Sequence, residues 1–203
     1  MKLGWIGLLL LVSVPAFAQP SLSDIQHRWA TCQYRTPEKL KADCLQTLSG
    51  EADSASAAAP SRVDMLIWSA IVKSSWAGAK GGLGALSLVK DAKARLELAL
   101  RLNANALDGS ALTSLGALYY QVPGWPIGFG DKKQAEQLLK KALVMNPNGI
   151  DPNFFYGDFL LEEGRKQEAK TYLQKAQAAA PRPGREDADR GRQQEIASRL
   201  AQL

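Results

Sequence analysis

The chain states one helical phrase twice. Ala135, Leu139, Ala142 and Pro147 are answered by Ala169, Leu173, Ala176 and Pro181, residue type for residue type, at a spacing of 34 residues (169 minus 135). Small, large and small side chains at i, i+4 and i+7 lie on one face of a helix. The alanines admit a neighbouring helix and the leucine fills the space between. Proline then stops the helix, because its ring cannot continue the hydrogen-bond ladder. A second amphipathic segment precedes each phrase and carries a glycine on its inner face, Gly116 in one and Gly157 in the other. Two helices per unit at this period predict an all-α helical solenoid.

A weaker copy comes earlier. Ala92, Leu96 and Ala99 repeat the small-large-small face, with Ala104 where proline would fall. Its first helix is expected over Val63–Ala77, with Met65, Trp68, Val72 and Trp76 on one stripe. Its second is expected over Leu86–Leu102. Gly78, Gly81, Gly82 and Gly84 between them read as a helix–helix turn, since they lack the strand and the lysine-serine ending of a phosphate loop. The solenoid therefore spans 62–183 in about three helix pairs, 62–106, 109–148 and 150–183. These residues resemble the tetratricopeptide repeat, whose pattern has a glycine and an aromatic in its first helix and Ala, Leu or Phe, Ala and Pro in its second.

The middle pair departs from the regular unit. Its first helix is expected over Ser110–Gln121, and its second is capped by Asp131. About seven extra residues separate them, within Val122-Pro-Gly-Trp-Pro-Ile-Gly-Phe-Gly130. Loops on rigid scaffolds often carry function. Trp125 and Phe129 either fold back over a gap between repeats or face a ligand, and the two roles are compatible. The run from Gly109 to Leu143, with Gly128-Phe129-Gly130-Asp131 and Lys141-Ala142-Leu143, resembles the T component of tripartite ATP-independent periplasmic transporters. That resemblance covers roughly residues 85–165. It implies a periplasmic solute-binding protein as partner. Members of that family are commonly lipoproteins, whereas no lipid-attachment cysteine is present here.

In the third unit Tyr156, Gly157 and Leu160 form the packed face of Asn153–Glu163. Phe154 is offset from that face, toward the concave surface, unless a neighbouring helix covers it. Tyr120 holds the comparable offset in the middle unit, and Asp151, Asp158 and Leu161 flank Phe154. The candidate contacts for a partner or ligand are thus Tyr120, Trp125, Phe129, Phe154, Asp158 and Leu161. No paired lysine-asparagine pattern marks a carboxylate clamp.

The ends differ from the repeats. Lys2, the apolar run Ile6–Val14 and Ala16-Phe17-Ala18 read as a secretory signal peptide over 1–18, which implies export, with the bacterial periplasm as the expected compartment. Cys32 and Cys44 are the two cysteines. In an exported chain they read as a disulfide stapling a helical hairpin over 19–48, with Thr36 capping a helix that Pro37 opens. Their spacing fits neither C-x-x-C nor a zinc site, and the one histidine, His27, reads as a surface or interface residue. Residues 49–61, rich in Ala, Ser and Gly, read as a linker. After Pro181-Arg-Pro-Gly184, residues 184–203 read as a polar capping helix with a narrow stripe of Ile196 and Leu200. Its charged group, Asp187, Asp189, Arg190, Arg192 and Glu195, reads as a solvated face.

Chemistry is sparse. With a single histidine and both cysteines bridged, no Cys-His, serine-base or metal constellation assembles, so no enzyme, cofactor or metal is expected. A net charge of +5, with basic and acidic residues interleaved, gives no nucleic-acid footprint. Binding is the expected role: docking of an envelope protein in the repeat groove, or carriage of a small apolar ligand beneath the 122–130 loop.

Overall fold

The computed structural model describes residues 19–203, so the expected signal peptide at 1–18 lies outside the described residues. The helices run in order as α1 (Leu22–Ala30), α2 (Glu38–Ala58), α3 (Val63–Lys80), α4 (Ala85–Asn103), α5 (Ser110–Gln121), α6 (Lys132–Met145), α7 (Ile150–Glu162), α8 (Lys166–Gln177) and α9 (Glu186–Leu200). None is long and apolar enough to cross a membrane. The pairs α3–α4, α5–α6 and α7–α8 are the three repeat units of an all-α solenoid.

The repeated phrase forms the core of each pair. Ala92, Leu96 and Ala99 in α4, Ala135, Leu139 and Ala142 in α6, and Ala169, Leu173 and Ala176 in α8 are all fully buried. The inner glycines explain themselves by distance. A methyl group on Gly116 would lie 2.8 Å from Leu139 Cγ, and one on Gly157 would lie 2.9 Å from Leu173 Cγ. Each leucine of the phrase therefore seats on the glycine of its partner helix, and a side chain there would overpack the pair. Between α3 and α4 the turn is carried by Gly81 and Gly82, at φ 62° and 64°, where glycine is the residue without strain. Gly78 lies inside α3, which extends one turn past the expected end at Ala77.

Two departures from expectation are larger. Residues 49–58 are not a linker: α2 continues to Ala58 and buries Leu45, Leu48, Ser49, Ala52, Ala55 and Ser56. Alanine is the strongest helix former, and this small-residue face lets α3 approach closely. The N-terminal hairpin is consequently stacked on the first repeat as a further layer. Its staple is present, with Cys32 and Cys44 bonded at a Cα–Cα distance of 5.6 Å. Thr36 does not cap α2. A π-helical turn, Thr31–Arg35, follows α1, and the Thr36 hydroxyl donates back to the Thr31 carbonyl at 3.1 Å.

α9 is the other departure. It packs on α7 and α8 of the last repeat and reaches α1 and the Thr31–Arg35 turn at the other end of the chain. Ala188 packs in the N-terminal core with Ile25, Trp29 and Trp68, while Ile196 packs in the C-terminal core with Phe159, Leu160 and Leu173. Gly191 faces the Tyr34 ring so closely that a methyl group would overlap it. His27 Nε2 donates to the Gly184 carbonyl at 2.7 Å, Arg35 pairs with Asp187 at 2.7 Å, and the Tyr34 hydroxyl donates to Glu195 at 3.2 Å. Residues some 150 positions apart thus close the superhelix on itself. Of the charged face of α9 expected in solvent, Arg192 is instead buried on aromatic rings, whereas Arg190 stays exposed and Asp187 and Glu195 are partly so.

Candidate functional site

The inner surface has two parts. Over α7 it is covered. Phe154, 5% exposed, lies under the Arg192 guanidinium at 4.3 Å, with Phe155 at 4.6 Å from the same group. Arg192 Nε donates to Asp151 at 2.9 Å, and Arg182 reaches the same carboxylate at 2.5 Å. Burial alone would raise the Asp151 pKa, but Arg192 and Arg182 outweigh it and hold the carboxyl at about 2. Tyr120 donates its hydroxyl to Asp158 Oδ2 at 2.7 Å. Burial and the Asp158 charge push that phenol well above its ordinary value. Arg199 Nε lies 2.6 Å from Asp158 Oδ1 but off the N–H direction, so the contact is an ion pair and that oxygen has no aligned donor.

The structure therefore gathers Tyr120, Phe154 and Asp158 into one buried cluster. It sets the chain's own α9 in front of them, with a cavity of about 350 Å³ left between Gln121, Phe154, Asp158 and Arg199. Leu161 is half-buried in the C-terminal core. Trp125 and Phe129 part company. Phe129 packs edge-to-face on Tyr119 at 5.6 Å, with Lys93 5.7 Å from each ring, whereas Trp125 is 90% exposed. The loop between them is tight. The amide of Gly130 donates to the Pro123 carbonyl at 3.0 Å, and a side chain at Gly128 or Gly130 would collide with the backbone of Val122 and Pro123. Asp131 caps α6 as expected, accepting from the Gln134 amide at 3.0 Å.

The open part lies between α3, α4, α5 and this loop. An apolar groove of about 420 Å³ is walled by Val89, Ala117, Leu118 and Val122, and Phe155 stands at its inner end. Its rim carries Leu83, 88% exposed, and Ile127, 61% exposed. Large aliphatic side chains held in water around an apolar concavity mark a binding surface. Neither rim residue was among the candidates from sequence. The available signals were a leucine inside the glycine turn, Gly82-Leu83-Gly84, and an isoleucine between Pro126 and Gly128. Among the described residues no group of three or more His, Cys, Asp or Glu side chains is placed to hold a metal ion.

With this geometry in view, the comparison with known families is specific for one stretch. Residues 127–188 match the tetratricopeptide repeat family. The chain contains tetratricopeptide repeat. The match runs from the 122–130 loop through α6, α7 and α8 to the start of α9, and so includes both copies of the phrase. Such repeats are typically non-catalytic modules that mediate protein–protein contact. No curated protein matches the chain.

Proposed function

We propose that this is a non-enzymatic binding protein of the cell envelope, which docks a partner protein on the apolar groove beneath the 122–130 loop. The observation that carries the reading is the exposed aliphatic rim, Leu83 and Ile127, around an apolar concavity on a repeat scaffold. The surface first expected to serve, at Tyr120, Phe154 and Asp158, is occupied by α9. The compartment is inferred from the leader-like segment at 1–18 and is consistent with the Cys32–Cys44 disulfide. The resemblance to the T component makes a periplasmic solute-binding protein the proposed partner and transport the proposed context.

Site-specific photo-cross-linking tests this. A photoreactive residue at Leu83 or Ile127 is expected to capture a solute-binding protein or transporter subunit in the native envelope. The same residue at Val144, equally exposed but on α6 outside the groove, is expected to capture none. Equal capture from all three positions overturns the groove as the docking surface.

A second reading, carriage of a small ligand, is favoured by depth. The groove does not end on a flat floor but abuts a second concavity with which it shares Ile71, Ser114 and Phe155. Native mass spectrometry of the purified protein separates the readings, since a carrier retains a ligand.

A further inference from the structure

The chemistry changes across the boundary at Ile71, Ser114 and Phe155. On the outer side the walls are aliphatic. On the inner side a chamber of about 370 Å³ is lined by Arg182, Arg185 and Arg192 against Asp108 and Asp151, three positive charges to two negative. Two of the arginines are engaged. Arg182 pairs with Asp151 and Asp189, and Arg192 pairs with Asp151 and Glu195. Arg185 is not. Its guanidinium lies over the Trp68 ring at 4.8 Å, its Nε is buried with no hydrogen-bond acceptor, and no carboxylate pairs with it among the described residues.

A buried N–H without an acceptor is costly, and the Arg185 Nε is one, cut off from water with no oxygen in return. The tryptophan face offsets part of that cost through its quadrupole. Burial first, then the neighbouring Arg182 charge, lowers the Arg185 pKa against the opposing pull of Asp151 and Asp189. α5 and α7 both begin at this chamber, at Ser110 and Ile150, without side-chain caps. Their positive ends add potential of the same sign. An acceptor at Arg185 is what the chamber lacks, and an aliphatic chain is what the adjoining groove lacks.

We propose that groove and chamber form one site for a small amphipathic acid, with its apolar chain between α3, α4 and α5 and its carboxylate on Arg185. The inference rests on the carriage reading and names its ligand class. The planar guanidinium offers two parallel N–H donors to a carboxylate. An uncharged ligand of the same length fills the groove but leaves Arg185 without an acceptor.

Decanoate and decanol are the probes, titrated into the protein with calorimetric and tryptophan-fluorescence readouts. Decanoate is expected to bind tighter by about tenfold or more, the value of a charge-assisted hydrogen bond. It is also expected to perturb Trp68 emission. Arg185→Gln is expected to bring decanoate to the level of decanol while leaving decanol unchanged, which also reports that the variant is folded. Arg185→Lys keeps the charge without the fork and is expected to retain part of the preference. Arg190→Gln, at an exposed position on α9, removes the same net charge and is expected to keep all of it. Equal affinity of the two probes for the unaltered protein overturns the acid and leaves carriage standing. A preference that survives Arg185→Gln, or that disappears in Arg190→Gln, overturns the assignment to Arg185. Binding of neither probe overturns carriage and this inference together.

Discussion

The inner surface over α7 and the inner surface between α3 and α5 belong to the same solenoid, yet one is covered by α9 and the other is not. Over α7 the exposed groups of the bare repeat would be aromatic rings and carboxylates: Phe154, Phe155, Asp151 and Asp158. An arginine-bearing helix satisfies both kinds at once, because one guanidinium stacks on a ring and pairs with an acid in the same pose. Between α3 and α5 the surface is aliphatic, with Val89, Leu118 and Ile127 and no carboxylate among the lining residues. A polar helix has nothing to offer it. The comparison teaches that a repeat scaffold can be complemented internally wherever its groove is amphipathic, leaving its purely apolar portion for an external occupant.

Breaking the covered half gives the largest expected effect. Phe154→Ala removes a nearly fully buried ring from beneath Arg192 and is expected to cost about 3–5 kcal/mol of stability. Urea unfolding followed by circular dichroism checks it. A change below about 1 kcal/mol would show that α9 does not pack on this ring. Cross-linking from Leu83 under native conditions is expected to persist, since Phe154 lies outside the open groove. A Phe154 substitution therefore reports on closure by α9, and loss of a partner on its account would reflect unfolding.

How much of this was legible beforehand depended on the kind of contact. The repeat phrase was readable because each alanine and leucine recurs at helical spacing, and Leu139 and Leu173 seat on Gly116 and Gly157, glycines that have no other reason to be there. The inner cluster of Tyr120, Phe154 and Asp158 was readable as a face, by its offset from the packed positions. Its cover was not. Arg192 and Arg199 are polar residues in a polar helix, and no apolar period announces a guanidinium stacked on a ring some 40 residues away in sequence. α2 was misread for a related reason. Ala52, Ala55 and Ser56 bury by being small, so they leave no hydrophobic stripe and look like a linker. In the loop, Trp125 and Phe129 carry similar chemistry, and it is the backbone contacts at Gly128 and Gly130 that send one ring inward and the other out.

Acid sharpens the comparison at an intermediate size. Asp151 has a folded pKa of about 2 against an ordinary value of 3.8. A depressed carboxyl contributes stability above its unfolded pKa and loses it as pH falls through the folded value. The hold of Asp151 on Arg182 and Arg192 is therefore complete above about pH 4 and is expected to fade toward pH 2. Trp68 emission is the probe, because Arg185, adjacent to the start of α9, lies on its ring. At neutral pH Asp151→Asn is expected to cost about 3 kcal/mol, the lower end for breaking a buried pair, since Asp151 keeps some access to water. A neutral-pH stability unchanged by this substitution would mean that the other contacts of α9 hold it without Asp151.

The smallest stability effect belongs to the open half, and that is its diagnostic value. Ile127→Ser alters a side chain that is mostly in water, so unfolding free energy is expected to stay within about 0.5 kcal/mol. Trp125→Ser should behave the same way, because its ring is more exposed still. The two differ in what they do to binding. Ile127 lines the groove and Trp125 does not, so Ile127→Ser is expected to weaken capture from Leu83 while Trp125→Ser leaves it intact. Equal losses from both would make the whole loop tip the contact surface. No loss from either would move the docking surface away from the groove rim, although both variants would still be folded and comparable with the parent.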